Sequence, residues 1–238
     1  MEIATEAIIL AGGLGTRLRS TVPDLPKPMA PVGARPFLAH VLDQLVQAGF
    51  ESVVLAVGFR HEAIRAHFGD GYRNLVLRYS VESEPLGTGG AIRLACGQVS
   101  GEEVFVLNGD TYLRADYRAM LDAHTSAAAR LTIAACHVQD VARYGALEIE
   151  GGIVRGFREK GSSGPGWINA GTYVLGRALR ESLPKAGAFS FEQDVLVPEV
   201  GILRPLVFEA DGPLIDIGVP DDYARAQEVL GGVQGGTL

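Results

Sequence analysis

Three short, unbroken apolar runs set the limits on what this chain can become, at residues 7–11, 53–57 and 104–107. Each runs straight into glycine or asparagine-glycine, at Gly12-Gly13, Gly58 and Asn108-Gly109. Runs this short make poor buried helices and show no polar alternation, so they read as strands covered on both faces. Between the first two, Phe37, Leu38, Val41, Leu42, Leu45 and Val46 recur at helical spacing, and Gly49 supplies a stop. Residues 63–68 and 89–96 predict two shorter helices, and residues 75–81 an alternating strand. This rhythm predicts an α/β fold with a mostly parallel sheet covered by helices on both faces.

After about Leu131 the pattern changes. Residues 131–137, 146–149, 153–157 and 170–175 read as strands with short, glycine-rich connections, and helical patterns return at 191–200 and 221–230. The 238 residues suffice for one large α/β domain. The second half is expected to extend the same sheet, because the loop at 161–166 is too short to separate domains. Residues 231–238 read as a frayed tail.

A net charge of −7 argues against broad nucleic-acid or anionic-membrane binding, which wants a basic face. A few well-placed cations could still hold a small phosphorylated substrate. Cys96 and Cys136 are the only cysteines, so neither a disulfide framework nor a cysteine metal cluster is expected, and both read as buried packing. The five histidines, His40, His61, His67, His124 and His137, show no zinc-ligand spacing and read as surface or packing residues. No run is long enough to span a membrane and no export signal is visible, which makes the cytoplasm the expected compartment.

Leu10-Ala11-Gly12-Gly13-Leu14-Gly15-Thr16-Arg17-Leu18 follows the first strand directly. Loops that cradle phosphate need glycines there, so that the backbone can approach the anion and expose N–H groups. The Gly15-Thr16-Arg17 ending does not fit a P-loop, and Leu18 stands where a dinucleotide fingerprint wants a third glycine. What remains is a loop carrying Arg17, followed by Lys27 between Pro26 and Pro28. Arg17 could grip phosphate bidentately while Lys27 acts as a point charge.

Asp110 ends the third apolar strand, where open α/β sheets bind ligands. Asp216, flanked by Ile215 and Ile217, would be costly as an unpaired charge. Two such carboxylates suit Mg2+, which takes one or two of them together with phosphate oxygens. Glu82 and Glu84 open the glycine-rich segment Pro85-Leu86-Gly87-Thr88-Gly89-Gly90. Guanine offers adjacent N1–H and N2–H donors that a carboxylate accepts, whereas uracil and thymine set carbonyls beside one N–H. This favours GTP.

The loop from Ala11 to Leu18 with Lys27 between prolines resembles the signature of the sugar-1-phosphate nucleotidyltransferases. The resemblance covers most of the chain, from about Glu6 to Leu230. It implies the nucleotide-diphospho-sugar transferase fold, a Rossmann-like, mostly parallel mixed sheet flanked by helices. No hexapeptide repeat follows, so a C-terminal β-helix is not expected. It further implies nucleotide contacts from Leu10, Ala11, Gly12, Gly13, Gly15, Thr16, Arg17, Lys27, Glu82, Glu84, Pro85, Gly87, Thr88 and Gly109. Catalytic roles fall to Arg17, Lys27 and Asp110, metal binding to Asp110 and Asp216, and the sugar phosphate to Tyr144, Gly145, Glu159, Lys160 and Asn169. Arg143, Trp167 and Glu192 are rim candidates. Within the family, the segments around Glu84, Asp110, Tyr144, Glu192 and Asp216 most resemble guanylyltransferases of D-glycero-α-D-manno-heptose 1-phosphate, with those of mannose 1-phosphate next and uridylyl- or thymidylyltransferases third. Such enzymes supply GDP-heptose for bacterial surface polysaccharide. The implied partners are GTP and a sugar 1-phosphate, of heptose or mannose; a homo-oligomer such as a dimer, through the sheet edge or the C-terminal helix, is compatible with the sequence but not fixed by it. Residues 1–130 would hold the nucleotide and 131–230 the sugar phosphate. A nucleotide-sugar-sensing subunit without catalysis is the reading from another class, and Arg17, Lys27, Asp110 and Asp216 together argue against it.

Overall fold

The computed structural model describes residues 5–13, 25–58, 60–158, 161 and 163–232. The first apolar run forms β1 (Glu6–Leu10). A 3-10 turn (Lys27–Met29), the small antiparallel pair β2 (Pro31–Val32) and β3 (Arg35–Pro36), and helix α1 (Phe37–Gln47) follow. Next come β4 (Ser52–Val57), α2 (His61–Phe68), the hairpin of β5 (Gly71–Tyr72) with β6 (Leu75–Val81), and α3 (Gly87–Cys96). The third run is β7 (Glu103–Asn108), continued by β8 (Thr111–Leu113) and α4 (Tyr117–Ser126). The second half contributes β9 (Leu131–Val138), β10 (Leu147–Glu150), β11 (Ile153–Phe157), β12 (Gly166–Gly176) and α5 (Arg177–Ser182). A π-turn (Phe191–Leu196), α6 (Val197–Leu203), β13 (Leu206–Glu209), β14 (Leu214–Asp216) and α7 (Pro220–Leu230) close the described chain.

Ten strands form one sheet in the order β10-β11-β13-β9-β12-β7-β1-β4-β6-β5. β7, β1, β4 and β6 run parallel, and β12 joins β7 antiparallel to carry the sheet into the second half. β1, β4 and β7 are buried on both faces, which explains their lack of polar alternation, whereas β6 alternates as its sequence predicts. Ala7 and Ile9 pack with Val53, Leu55 and Leu107 against α1 and α7, whereas Ile8 packs with Val54, Val106 and α3 on the other face.

Three expectations are amended. The helix expected at 191–200 starts as a π-turn, with Val197 N–H reaching back to Glu192 O, and Pro198 opens α6 because it has no N–H to continue an α ladder. The strand expected at 170–175 spans eleven residues and carries a bulge: Asn169 faces Ala135 while Tyr173 faces Ile133. Cys136 is buried as expected, but Cys96, the last residue of α3, is half-buried. Among the described residues no helix is long and apolar enough to cross a membrane.

Candidate active site

β1, β4 and β7 are in register and end at one rim of the sheet. Two glycines in the turns beyond them are closely packed. A Cβ on Gly12 would lie 3.2 Å from Gly58 N, and one on Gly109 would lie 2.6 Å from Leu10 O, which already accepts the Gly109 N–H at 2.9 Å. Asp110 leaves this rim one residue before β8 begins. β8 pairs antiparallel with β14, Thr111 opposite Asp216, and Ile217 N–H donates to Asp110 O at 3.0 Å. That ribbon brings together two carboxylates that are remote in the chain.

Lys27 joins them. Its Nζ lies 2.5 Å from Asp110 Oδ2 and 3.7 Å from Asp216 Oδ1, and its side chain is only 9% exposed. The turn that aims it is fixed by Met29 N–H to Pro26 O (2.8 Å) and Ala30 N–H to Lys27 O (3.0 Å). α7 clasps the following residues: Tyr223 Oη and Gln227 Nε2 donate to Pro31 O, and Gly33 N–H donates to Gln227 Oε1 at 2.9 Å. Burial pushes the Asp216 carboxyl above the usual carboxylate range and nearby Asp110 adds to the rise, while Lys27 and the Gly218 N–H on Oδ1 (2.7 Å) oppose it. Among the described residues no group of three or more His, Cys, Asp or Glu could hold a metal unaided. Two carboxylates with no soft donor fit a hard divalent cation that draws its other ligands from phosphate and water.

A cleft of about 650 Å³ opens beside this cluster, bounded by Leu10, Gly12, Gly13, Glu82, Glu84, Pro85, Gly87, Thr88 and Asp110. Glu82 Oε2 accepts the Leu86 N–H at 3.1 Å; burial pushes its carboxyl up and that bond opposes the rise. Glu84, two residues on, is exposed. The glycines that open α3 also serve packing. At Gly87, with φ of +70°, a Cβ would lie 2.5 Å from Phe189 O, Gly89 N–H donates to that same oxygen at 2.9 Å, and Thr88 Oγ1 accepts the Phe191 N–H at 2.9 Å.

Gly58, Arg60, His61 and Asn108 bound the same cleft and were not singled out as ligand residues from the sequence. His61, read there as surface or packing, lies with Nδ1 3.2 Å from Gly58 O. The available signal was position: each lies at or just beyond the carboxyl end of β4 or β7.

In the second half, Tyr144 and Gly145 sit in a tight turn, their N–H groups on Val141 O at 2.9 and 3.0 Å. Arg143 pairs with Asp222 through two bonds, 2.6 and 3.3 Å, and lies 5.4 Å from the Tyr144 ring centroid. Asp222 was not anticipated. Asn169 bonds Tyr173 and Glu192, and Gly171 beyond it packs onto the Asn108 side chain, which joins this region to the cleft. Gly15, Thr16 and Arg17 in the glycine loop, and Glu159 and Lys160, lie outside the described residues.

The sequence pattern of the nucleotidyl transferase family matches residues 6–228. The chain belongs to that family. Two similar members are D-glycero-alpha-D-manno-heptose 1-phosphate guanylyltransferases. That of Aneurinibacillus thermoaerophilus is 44% identical over 94% of this chain and 98% of its own, and that of Campylobacter jejuni is 39% identical over 92% and 96%. The crystal structure of HddC from Yersinia pseudotuberculosis complexed with GMP-PN matches with a TM-score of 0.84 and 38% identity, covering 94% of this chain and 98% of that one. Membership makes this chain a nucleotidyltransferase, built on the fold that the glycine loop led one to expect.

Proposed function

We infer that this chain transfers GMP from GTP to D-glycero-α-D-manno-heptose 1-phosphate, giving GDP-heptose and pyrophosphate. The observation that carries this reading is the convergence of Lys27, Asp110 and Asp216 beside the cleft at the sheet rim. The near end-to-end similarity to two heptose 1-phosphate guanylyltransferases supports the choice of nucleotide and sugar. The chain acts as one catalytic unit, with residues 1–130 holding GTP and residues 131–230 the sugar phosphate. Both substrates are soluble polyanions, which suits a cytoplasmic enzyme.

Glu82 and Glu84 offer carboxylate oxygens to the paired N–H donors of guanine. Arg17 and Lys27 hold the triphosphate, and Tyr144, Gly145, Glu159, Lys160 and Asn169 hold the heptose phosphate. A sugar phosphate is already ionised at neutral pH, so the chain need not supply a general base. Its task is to align a phosphate oxygen of the sugar behind the α-phosphorus of GTP, in line with the departing pyrophosphate. Asp110 and Asp216 would hold a magnesium ion, which supplies neutralisation of phosphate charge when bound.

The test is a substrate matrix, in which pyrophosphate release is measured for each common nucleoside triphosphate with heptose, mannose and glucose 1-phosphates. GTP with the heptose phosphate is expected to be fastest, EDTA to abolish release, and added Mg2+ to restore it. Faster turnover with UTP or dTTP, or with either hexose phosphate, overturns the assignment.

A further inference from the structure

The segment carrying Glu82 and Glu84 is gripped from outside by a piece of the second half of the chain. Residues 82–86 lie between β6 and α3, where neither a strand ladder nor a helix fixes them. Glu82 holds their inner side: its N–H donates to Val57 O at 2.9 Å, and its Oε2 accepts the Leu86 N–H. Phe189 holds their outer side. Its N–H donates to Leu86 O and its carbonyl accepts the Gly89 N–H, both at 2.9 Å. The Phe189 ring completes the grip, because a Cβ on Gly89 would overlap it and only glycine leaves it room. Leu86 lies in turn on Gly90, where a Cβ would come within 2.7 Å of the Leu86 Cβ.

Phe189 is itself anchored on every side. Arg93 of α3 donates to Pro184 O at 2.9 Å and to Gly187 O at 3.3 Å, and its guanidinium lies 5.7 Å from the Phe189 ring centroid. On the other flank, Asp194 Oδ2 accepts the Ser190 N–H at 2.7 Å and Ser190 Oγ accepts the Gln193 N–H at 3.2 Å, a reciprocal cap that locks the start of the π-turn. Phe189 is not among the residues that bound the cleft, so whatever it does for a nucleotide it does through residues 86–89.

We propose that Phe189 is a positioning residue for guanine recognition, holding residues 82–89 in the shape in which Glu82 and Glu84 meet the base. This deepens the guanylyltransferase reading and rests on it. Glu84 is exposed, so its aim comes from the backbone that carries it. The opposing account is that Phe189 merely covers the core beside α3, against which its ring packs.

Equilibrium binding to the full-length enzyme in Mg2+ separates the two, with GTP and inorganic triphosphate as probes. Phe189→Ala is expected to weaken GTP by about 10- to 100-fold, the scale of one misaligned hydrogen bond to a charged group, and to leave inorganic triphosphate within about twofold of the parent. Gly89→Ala, which pushes the ring away, should reproduce that loss. The double variant Gly89→Ala/Phe189→Ala should bind GTP no worse than either single variant, because both changes break one contact. A lower Tm with unchanged GTP affinity, equal losses for GTP and triphosphate, or losses that multiply in the double variant each overturn the proposal. Should Phe189→Ala fail to fold, Phe189→Leu must show a smaller loss confined to GTP. If the parent prefers UTP or dTTP, the guanine reading fails, and the same variants with the preferred nucleotide against inorganic triphosphate still decide whether Phe189 positions the base segment.

Discussion

Lys27 is the residue on which the charge balance of the site turns. Its ammonium group lies between Asp110 and Asp216, and without it two neighbouring carboxylates repel one another. Lys27→Met is therefore expected to lower Tm in metal-free buffer and to gain more Tm from added Mg2+ than the parent does, by scanning fluorimetry; an equal response in both proteins contradicts the shared site. Asp110→Asn should reduce kcat on the order of a hundredfold or more, the scale for losing one transition-state electrostatic contact, and a rate within a few-fold of the parent would falsify its assignment. Both aspartates could be found in the sequence, because each interrupts or ends an apolar strand where a charge needs a reason. Asp222 could not. An acidic residue in the first turn of a helix reads as a complement to the helix dipole, and its pairing with Arg143 exists only once α7 has docked.

Among the elements, β12 joins the two halves by pairing with β7, and its bulge adds a close contact at Asn108. Gly171 adopts φ of +68°, and a Cβ there would overlap the Asn108 amide, so the left-handed bend and the close approach both require glycine. Gly171→Ala is expected to destabilise the fold by about 1–3 kcal/mol, measured as the shift in urea midpoint; an unchanged midpoint would show that the bend relaxes freely. The long buried strands were legible because uninterrupted apolar runs leave few alternatives. The ribbon of β8 and β14 was not, since three-residue strands carry no periodicity, and the site depends on it. α4 also went unread, although Asp116 caps it and Tyr117, Met120, Leu121 and His124 share its buried face. The bulge itself hides inside a segment that looks like ordinary strand, because the two-for-four register is set by β9 rather than by local residues.

Across the whole molecule, the two rims of the parallel sheet do different work. Opposite the site, at the start of β1, Glu6 accepts from the Ser100 and Gly101 N–H groups, both at 2.7 Å, and from Arg78 at 2.8 Å, tying β1, β6 and the turn before β7 together. Burial pushes its carboxyl up, but these donors outweigh burial and hold it below its ordinary value of 4.5. The unfolded chain therefore takes up this proton first. The contribution of Glu6 is complete above about pH 4.5 and fades as the pH falls through the lower folded value. Glu6→Gln should lower Tm at neutral pH and flatten its decline below pH 4.5; a decline as steep as the parent's would assign acid sensitivity elsewhere. At the site rim the contacts run from one end of the described chain to the other, since the Lys27 turn is clasped by Tyr223 and Gln227 and Asp110 is partnered through β14. During synthesis, then, the wall of the cleft at Gly87 and Thr88 gains its partners only with residues 189–191. Lys27 and Asp110 gain theirs only with residues 214–227, so the rim is completed by nearly the last of the described chain to leave the ribosome.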